Sequence, residues 1–372
     1  MKDRIIKKVE DISPLMINKI KEIVSINSVE SETKEGAPFG EGVKETLIKA
    51  LDISRELGFE SVNIDSYMGY ASYGKKHDSE NDDYVCAIGH LDVVPVGDGW
   101  KYPPFSAHEE NGVIYSRGIL DNKGPIFSCL FALYALKELG IKLTKEVRII
   151  FGCDEESGFE DLKYYLDHEK PPIYGFTPDC KYPVVYAERG RAVIKISSTL
   201  NKLDEFFEFV NQYFINAKSN GENLGIDVND KEFGETLMRN YQLKMEGDLA
   251  IFKASISYPA SISIDKIMSQ CESKAKGLKV ALESHFKPVR FEKECFLVST
   301  LQKCYEEVTG LDGTPVTTTG GTYAKMMPNI VPFGPSFPGQ KGIGHNPNEW
   351  MSIEDIITNA KIYALSLYEL AK

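Results

Sequence analysis

The 372-residue sequence lacks the features that mark secreted, membrane-spanning and nucleic-acid-binding proteins. Its seven cysteines include no C-x-x-C pair, which predicts reduced thiols rather than a disulfide framework. No stretch approaches the roughly 20 apolar residues of a transmembrane helix, and residues 1–4 (MKDR) do not lead into the apolar core of a signal peptide. The formal net charge of −12 argues against a nucleic acid or an anionic membrane as partner. We therefore expect a cytoplasmic protein.

What the chain does contain is an alternation of strand-like and helix-like segments. Apolar runs at 84–89 and 147–151 have the length of buried strands, and a helical pattern covers 126–139 between them. From about residue 191 the pattern becomes a small β-α-β-α unit with a polar loop before residue 249, and after Pro288 the first pattern returns. The strands predicted in this unit cover 192–199 and 249–258, and its helices cover 203–214 and 264–277.

This order predicts an α/β fold with two domains. We expect a larger domain, 1–190 and 289–372, with a mixed and largely buried sheet flanked by helices. A small α+β domain at 191–288 would interrupt it.

The segment HLDVVPVGDGW places a histidine and an aspartate where the strand at 84–89 ends. Side chains two apart on an extended segment point the same way, so His90 and Asp92 share a face. Taken alone, H-x-D fits a buried structural histidine beside an acidic turn as well as it fits a ligand pair.

Four further segments carry acids or a histidine at strand ends or in tight loops, where open α/β sheets build their sites. They are Asp121 in SRGILDNKG, Glu155 and Glu156 in GCDEESG, Asp179 in FTPDCKYP and His345 in GIGHNPNEW. Each has a structural alternative: a helix cap for Asp121, a solvated acidic loop for the two glutamates, and a turn residue for Asp179.

Together these side chains suit a pair of divalent metal ions. Histidines and carboxylates without thiolates favour zinc, with manganese or cobalt as alternatives. Two ions need about three protein ligands each, with open positions for water. Asp121 would bridge the ions, His90 and Asp179 would complete one site, and Glu156 and His345 would complete the other.

Two acids remain for other tasks. Asp92 would accept a hydrogen bond from His90 and orient its ring. Glu155 cannot easily share an ion with the adjacent Glu156, which leaves it as the general base for a water molecule.

Six motifs in order carry a family resemblance: HLDVVPVGDGW, SRGILDNKG, GCDEESG, PDCKYPVVYAERG, GGTYAKMMPN and FPGQKGIGHNPNEW. They resemble the zinc metallopeptidases that include aminoacylase and carboxypeptidase G, and most closely their bacterial Xaa-His (carnosinase-like) dipeptidase branch. The resemblance covers nearly all of 1–191 and 289–372. The resemblance implies the same roles as the residues themselves: Asp121 bridges the two metal ions, Asp92 supports a ligand, and Glu155 is the base. The remaining ligands that it implies are also the same, namely His90, Glu156, Asp179 and His345.

The resemblance also implies properties that the residues alone do not. The larger domain would be catalytic, and the inserted domain would be a lid of a type that supports dimers, so a homodimer is an alternative to a monomer. The substrate would be a small peptide or an N-acyl amino acid. Gly320, Gly321 and Thr322 match the family's substrate-contacting glycine loop.

The predicted lid at 191–288 is shorter than the inserted domain of the dipeptidase branch, and its sequence departs from the family. The family's lid carries a histidine in an A-H-G-like segment and an arginine in an R-Y-P segment, which polarise and hold the substrate. Here the only histidine is His285, and Ser257-Tyr258-Pro259 stand where R-Y-P is expected. Two hypotheses follow: a metal-dependent hydrolase of amide bonds, or a metal-binding protein with little or no hydrolysis.

Four other polar residues receive structural interpretations. Arg189 and Arg191 in AERGRA are expected to form a salt bridge at the domain junction, with contact to a substrate carboxylate as the alternative. His77 and His108 lie in polar loops and are expected at the surface.

Overall fold

The computed structural model describes residues 1–75 and 83–372, and these form two compact units. The first unit comprises Met1–Val185, Glu292–Pro315 and Thr322–Lys372, and the second comprises Tyr186–Phe291 and Val316–Gly321. The short segment 316–321 was not assigned to the inserted domain by sequence analysis, and the lid role of that domain stays a prediction. Among the helices of the described residues, none is both long and apolar enough to cross a membrane.

Eight α-helices lie in the described residues. They are α1 (Lys2–Val24), α2 (Glu41–Glu56), α3 (Lys123–Glu138), α4 (Glu160–His168), α5 (Leu203–Val210), α6 (Ile264–Lys274), α7 (Phe296–Thr309) and α8 (Ile353–Ala371).

Twenty β-strands, several of them very short, lie in the same part of the chain. They are β1 (Glu60–Ile64), β2 (Met68–Gly74), β3 (Tyr84–His90), β4 (His108–Glu110), β5 (Val113–Tyr115), β6 (Glu146–Gly152), β7 (Tyr174–Thr177), β8 (Cys180–Lys181), β9 (Val185–Glu188), β10 (Gly190–Thr199), β11 (Asn229–Asp230), β12 (Gly234–Glu235), β13 (Leu237–Glu246), β14 (Leu249–Tyr258), β15 (Lys279–Phe286), β16 (Val289–Arg290), β17 (Val316–Thr318), β18 (Ile330–Pro332), β19 (Pro335–Ser336) and β20 (Trp350–Ser352).

The main sheet of the first unit has the order β1-β2-β6-β3-β7-β18. Strands β6, β3, β7 and β18 run parallel, whereas β1 pairs with β2 and β2 with β6 in the antiparallel sense. Every residue of β3 and β6 is buried, as expected for parallel strands covered on both faces. The predicted mixed, largely buried sheet is therefore confirmed.

Helix α3 is buried between the main sheet and other helices of the first unit. Its sequence, KGPIFSCLFALYALKE, is apolar around most of its circumference, which is typical of a helix buried on all sides. It packs against α1, α8 and β3. Pro125 lies in the first turn, where a missing N–H breaks no helical hydrogen bond.

The second unit is built on an antiparallel sheet of order β13-β14-β10-β15. Alternate residues of β10, namely Ala192, Ile194 and Ile196, are buried with apolar side chains of α5 and α6, which follows from the two-residue period of a strand.

Two predictions for this unit were incomplete. The polar loop expected before residue 249 contains β13, whose side chains are mostly exposed. It lies at an edge of the sheet, where polar residues are common and mask the strand pattern. The helix expected over 203–214 is α-helical only to Val210 and continues as a single π-turn, Asn211–Ile215.

Candidate metal centre

Three adjacent parallel strands position most of the candidate ligands at one edge of the main sheet. His90 is the last residue of β3, Glu155 and Glu156 follow β6, and Asp179 follows β7. Because the carboxyl ends of adjacent parallel strands meet at the same edge, side chains far apart in sequence converge there.

Asp121 lies between the two histidines. Its Oδ1 is 3.0 Å from Nε2 of His90, and its Oδ2 is 2.9 Å from Nε2 of His345. Glu156 Oε1 lies 2.9 Å from His345 Nε2, and Asp179 Oδ2 lies 3.8 Å from His90 Nε2. All five predicted ligands therefore lie close together, and their assignment to individual metal ions stays a prediction.

The loop that carries His345 approaches Asp121 closely. A Cβ added at Gly344 would lie 3.3 Å from Asp121 Oδ2, so a larger residue there would press on the carboxylate. His345 itself adopts φ 62°, an uncommon conformation for a residue with a side chain. Its side chain is 55% exposed, whereas that of His90 is fully buried.

The ligand atoms form two groups in which all atoms lie within 4.8 Å of one another. One group contains His90, Asp121 and Glu156, and the other contains His90, Glu155 and Asp179. The adjacent glutamates fall into different groups, and the position of Glu155 would allow it to be a ligand as well as the predicted base.

The electrostatics of the cluster favour the binding of a cation. Burial, together with neighbouring carboxylates, raises the pKa of Glu155 and Asp179 well above their usual values. Hydrogen bonds to Asp121 and Glu156 raise the pKa of His345 to about 11. Four carboxylates this close together repel one another and attract positive charge, and carboxylates with imidazoles are the donors that zinc, manganese and cobalt accept.

Asp92 supports the cluster in more ways than the sequence indicated. His90 Nδ1 is 2.9 Å from the main-chain oxygen of Asp92, and the Asp92 carboxylate is farther away at 3.5 Å. The other carboxylate oxygen, Oδ2, accepts a hydrogen bond from the main-chain N–H of Glu156 at 3.0 Å. Asp92 therefore orients His90 chiefly through its main chain and Glu156 through its side chain.

A buried ion pair that sequence analysis missed holds Asp121. Glu349 Oε1 accepts from the main-chain N–H groups of Leu120 (2.9 Å) and Asp121 (3.0 Å), and its Oε2 accepts from Arg117 at 2.8 Å. Arg117 and Glu349 are each 1% exposed. Both residues lie inside motifs quoted above, within a few positions of a candidate ligand. That proximity is the signal by which the sequence could have indicated their role.

Asn122 was also missed. Its Oδ1 accepts from the N–H of His90 at 3.3 Å, and its Nδ2 donates to the carbonyl of Pro178 at 2.6 Å. A Cβ added at Gly89 would overlap the Asn122 side chain, which explains the glycine before His90. Asn122 thereby joins the end of β3 to the loop of Asp179.

The glycine loop is divided between the units. Gly320 and Gly321 belong to the second unit, where the Gly320 N–H donates to Thr318 Oγ1 at 3.3 Å. Thr322 belongs to the first unit, is buried and caps a short 3₁₀ helix by accepting from the N–H of Ala324. Their contact with substrate stays a prediction.

Arg189 and Arg191, two of the four arginines of the second unit, differ in their contacts. Arg189 donates to the carbonyls of Phe233 (2.6 Å) and Glu235 (2.7 Å), so its guanidinium is engaged within the second unit. Arg191 lies opposite the buried Ser257 on the paired strand, and its guanidinium has no hydrogen bond or ion pair within the described residues.

Of the other histidines discussed above, His285 and His108 lie in the described part of the chain. His285 Nε2 is 2.6 Å from the hydroxyl of Tyr258, so its ring is engaged within the second unit. His108 is partly exposed and stacks on Tyr102 with ring centroids 3.7 Å apart. His77 lies outside the described residues.

Comparison with known proteins identifies the family that the chain resembles. The model of peptidase family M20/M25/M40 matches residues 86–369. Putative dipeptidase YtjP of Bacillus subtilis (strain 168) is 29% identical over 470 aligned positions that span 99% of each chain. The Beta-Ala-Xaa dipeptidase of Lactobacillus delbrueckii subsp. lactis is 27% identical over 456 positions that span 96% of each chain.

A solved structure gives the same fold. The crystal structure of human carnosine dipeptidase 1 superposes with a TM-score of 0.78 at 16% identity, covering 99% of this chain and 98% of that one. Both sequence alignments are longer than the 372 residues of this chain, so they contain gaps opposite segments of the relatives that this chain lacks.

Proposed function

The chain belongs to peptidase family M20/M25/M40 and is a metal-dependent peptidase, and on that premise we propose its substrate and the task of each site residue. We propose that it hydrolyses the amide bond of dipeptides, with N-acyl amino acids as a second substrate class. The dipeptidase names of both relatives support this substrate, and they lend no support to a member without hydrolytic activity.

The observation that carries the proposal is the position of Asp121, whose two carboxylate oxygens each face a different histidine. We assign Asp121 as the bridge between two divalent ions. His90 and Asp179 would hold one ion, and Glu156 and His345 the other. Zinc is the proposed metal, with manganese or cobalt as alternatives.

Two such ions would polarise the scissile carbonyl and lower the pKa of the attacking water. The protein's own contribution to proton transfer is Glu155. Its carboxylate would accept a proton from the water as the oxygen adds to the carbonyl carbon, and would then deliver that proton to the departing nitrogen as the C–N bond breaks. The products are a carboxylate and an amine.

The raised pKa of Glu155, which follows from burial and the nearby Asp179, suits this task. A base works best when its pKa lies near the working pH. Asp92 is assigned as the residue that orients His90, and Gly320, Gly321 and Thr322 as substrate contacts. The segment 191–288 is assigned as the lid.

A substrate screen tests the proposal. Protein loaded with zinc, manganese or cobalt would be incubated with a panel of dipeptides and N-acyl amino acids, and release of the free amine would be measured. We expect turnover that disappears on treatment with a chelator and returns on adding metal. A protein that retains only trace metal after loading and hydrolyses no member of the panel would contradict it.

A further inference from the structure

A buried carboxylate outside the proposed ligand set lies beneath the segment that carries Glu155. Asp161, in the first turn of α4, has no exposed surface. Its Oδ2 accepts from the main-chain N–H groups of Cys153 (2.7 Å) and Asp154 (3.0 Å), and its Oδ1 accepts from that of Leu162 (2.6 Å). A buried carboxylate needs such donors, because without them its desolvation is costly.

Tyr323 completes the environment of this carboxylate. Its side chain is fully buried, and its hydroxyl donates a short hydrogen bond to Asp161 Oδ2. A Cβ added at Gly152, the last residue of β6, would overlap the Tyr323 hydroxyl. The strand therefore ends in a glycine at the point where the tyrosine reaches the carboxylate.

A second buried aspartate holds the other end of the same segment, residues 153–156, which we call the acid loop. Asp92 Oδ2 accepts from the N–H of Glu156 at 3.0 Å. Glu155 thus lies in a loop whose main chain is hydrogen-bonded by Asp161 on one side of it and by Asp92 on the other.

We propose that Asp161, held by Tyr323, is a positioning residue for Glu155. The inference rests on the proposed role of Glu155 as general base. A base must stay within hydrogen-bond reach of the proton it accepts, and a displacement of about 1 Å at a reacting group can cost roughly 10²-fold in rate. Tyr323 contributes by orienting Asp161 toward the main chain of the acid loop.

Tyr323→Phe tests this, because it removes one hydroxyl and keeps the buried ring. We expect kcat to fall roughly tenfold, with KM and the metal content per chain unchanged. Tyr84→Phe is the matched control: Tyr84 is also fully buried, and its hydroxyl donates to the carbonyl of Lys170 at 2.7 Å. It lies at the opposite end of β3 from His90, so its kcat should equal that of the wild type.

A double-mutant cycle separates positioning from general destabilisation. If Tyr323 acts through Glu155, then Tyr323→Phe should cause no further loss of single-turnover rate in a Glu155→Gln background. An additive loss, an unchanged kcat, or a fall that accompanies metal loss would overturn the inference. A Glu155→Gln variant with wild-type turnover would instead contradict the proposed role of Glu155 itself.

Discussion

Two groups of charged side chains, one in each unit, differ in burial. In the first unit, Arg117, Glu349 and Asp161 are buried and bond to each other or to main-chain N–H groups around the candidate metal centre. In the sheet of the second unit, a typical ion pair, Lys253 with Glu283, is partly exposed to solvent. Removing one partner of a buried charge pair is costly, whereas exposed pairs contribute little. Removing one charged partner should therefore cost more stability at the buried pair of the first unit than at the partly exposed pair of the second.

The largest effect should come from removing a candidate ligand. His90→Ala or His345→Ala deletes an imidazole beside Asp121, so each should lower the metal content below the two equivalents expected for the wild type and abolish turnover. Metal analysis after zinc or manganese loading, followed by gel filtration, measures the content. His285→Ala, in the second unit, is the control and should keep both equivalents. If His90→Ala retained two equivalents, the ligand assignment would be wrong.

The second-largest effect should distinguish the task of Glu155 from that of Glu156. Glu155→Gln keeps the size of the side chain but cannot accept the proton, so turnover should fall about 10²–10⁴-fold with metal retained. Glu156→Gln should weaken metal binding, because a neutral amide is a poor ligand for a divalent cation. Metal content and initial rates, measured on the same samples, distinguish them. Identical behaviour of the two variants would refute the separate tasks.

A stability measurement tests the comparison directly. Glu349→Ala leaves the Arg117 guanidinium buried without its partner carboxylate, and we expect a loss of about 3–5 kcal/mol in the free energy of unfolding. Lys253→Ala removes a partly exposed pair and should cost less than about 1 kcal/mol. Urea denaturation of metal-free protein gives both values. Equal losses would show that burial does not distinguish the two regions.

The smallest effect concerns the proposed role of the second unit as a lid that contacts the substrate. Ser257 is neutral and buried where the resemblance leads one to expect an arginine. A guanidinium–carboxylate contact is worth roughly 1.5–3 kcal/mol, so without one the KM values of a dipeptide and its C-terminal amide should differ less than about threefold.

A strong preference for the free acid would contradict that expectation and would point to Arg191, which lies opposite Ser257 and is uncommitted within the described chain. Arg191→Ala should then remove the preference, whereas Arg189→Ala, whose guanidinium already bonds to main-chain carbonyls, should leave it.

Much of the fold was predictable because its local patterns are strong. The buried strands β3 and β6 and the helix between them are signalled by apolar runs of the right length. Strand β13 was missed because an exposed edge strand carries polar residues on positions that would otherwise reveal its period.

The sequence by itself determined the chemistry of the candidate site. His90, Asp121 and Glu156, with the other candidate ligands, were recognisable because metal coordination and proton transfer depend on residue type, and because each residue follows a strand or lies in a glycine-containing loop. Those are local properties that a linear pattern records.

Only the tertiary structure decided which buried groups hold that chemistry in place. Tyr323 meets Asp161 across 162 residues, and Arg117 meets Glu349 across 232. The task of a buried carboxylate depends on which N–H groups surround it, since these donors compensate its desolvation. The identity of those donors follows from how the strands and loops pack, which no short stretch of sequence specifies.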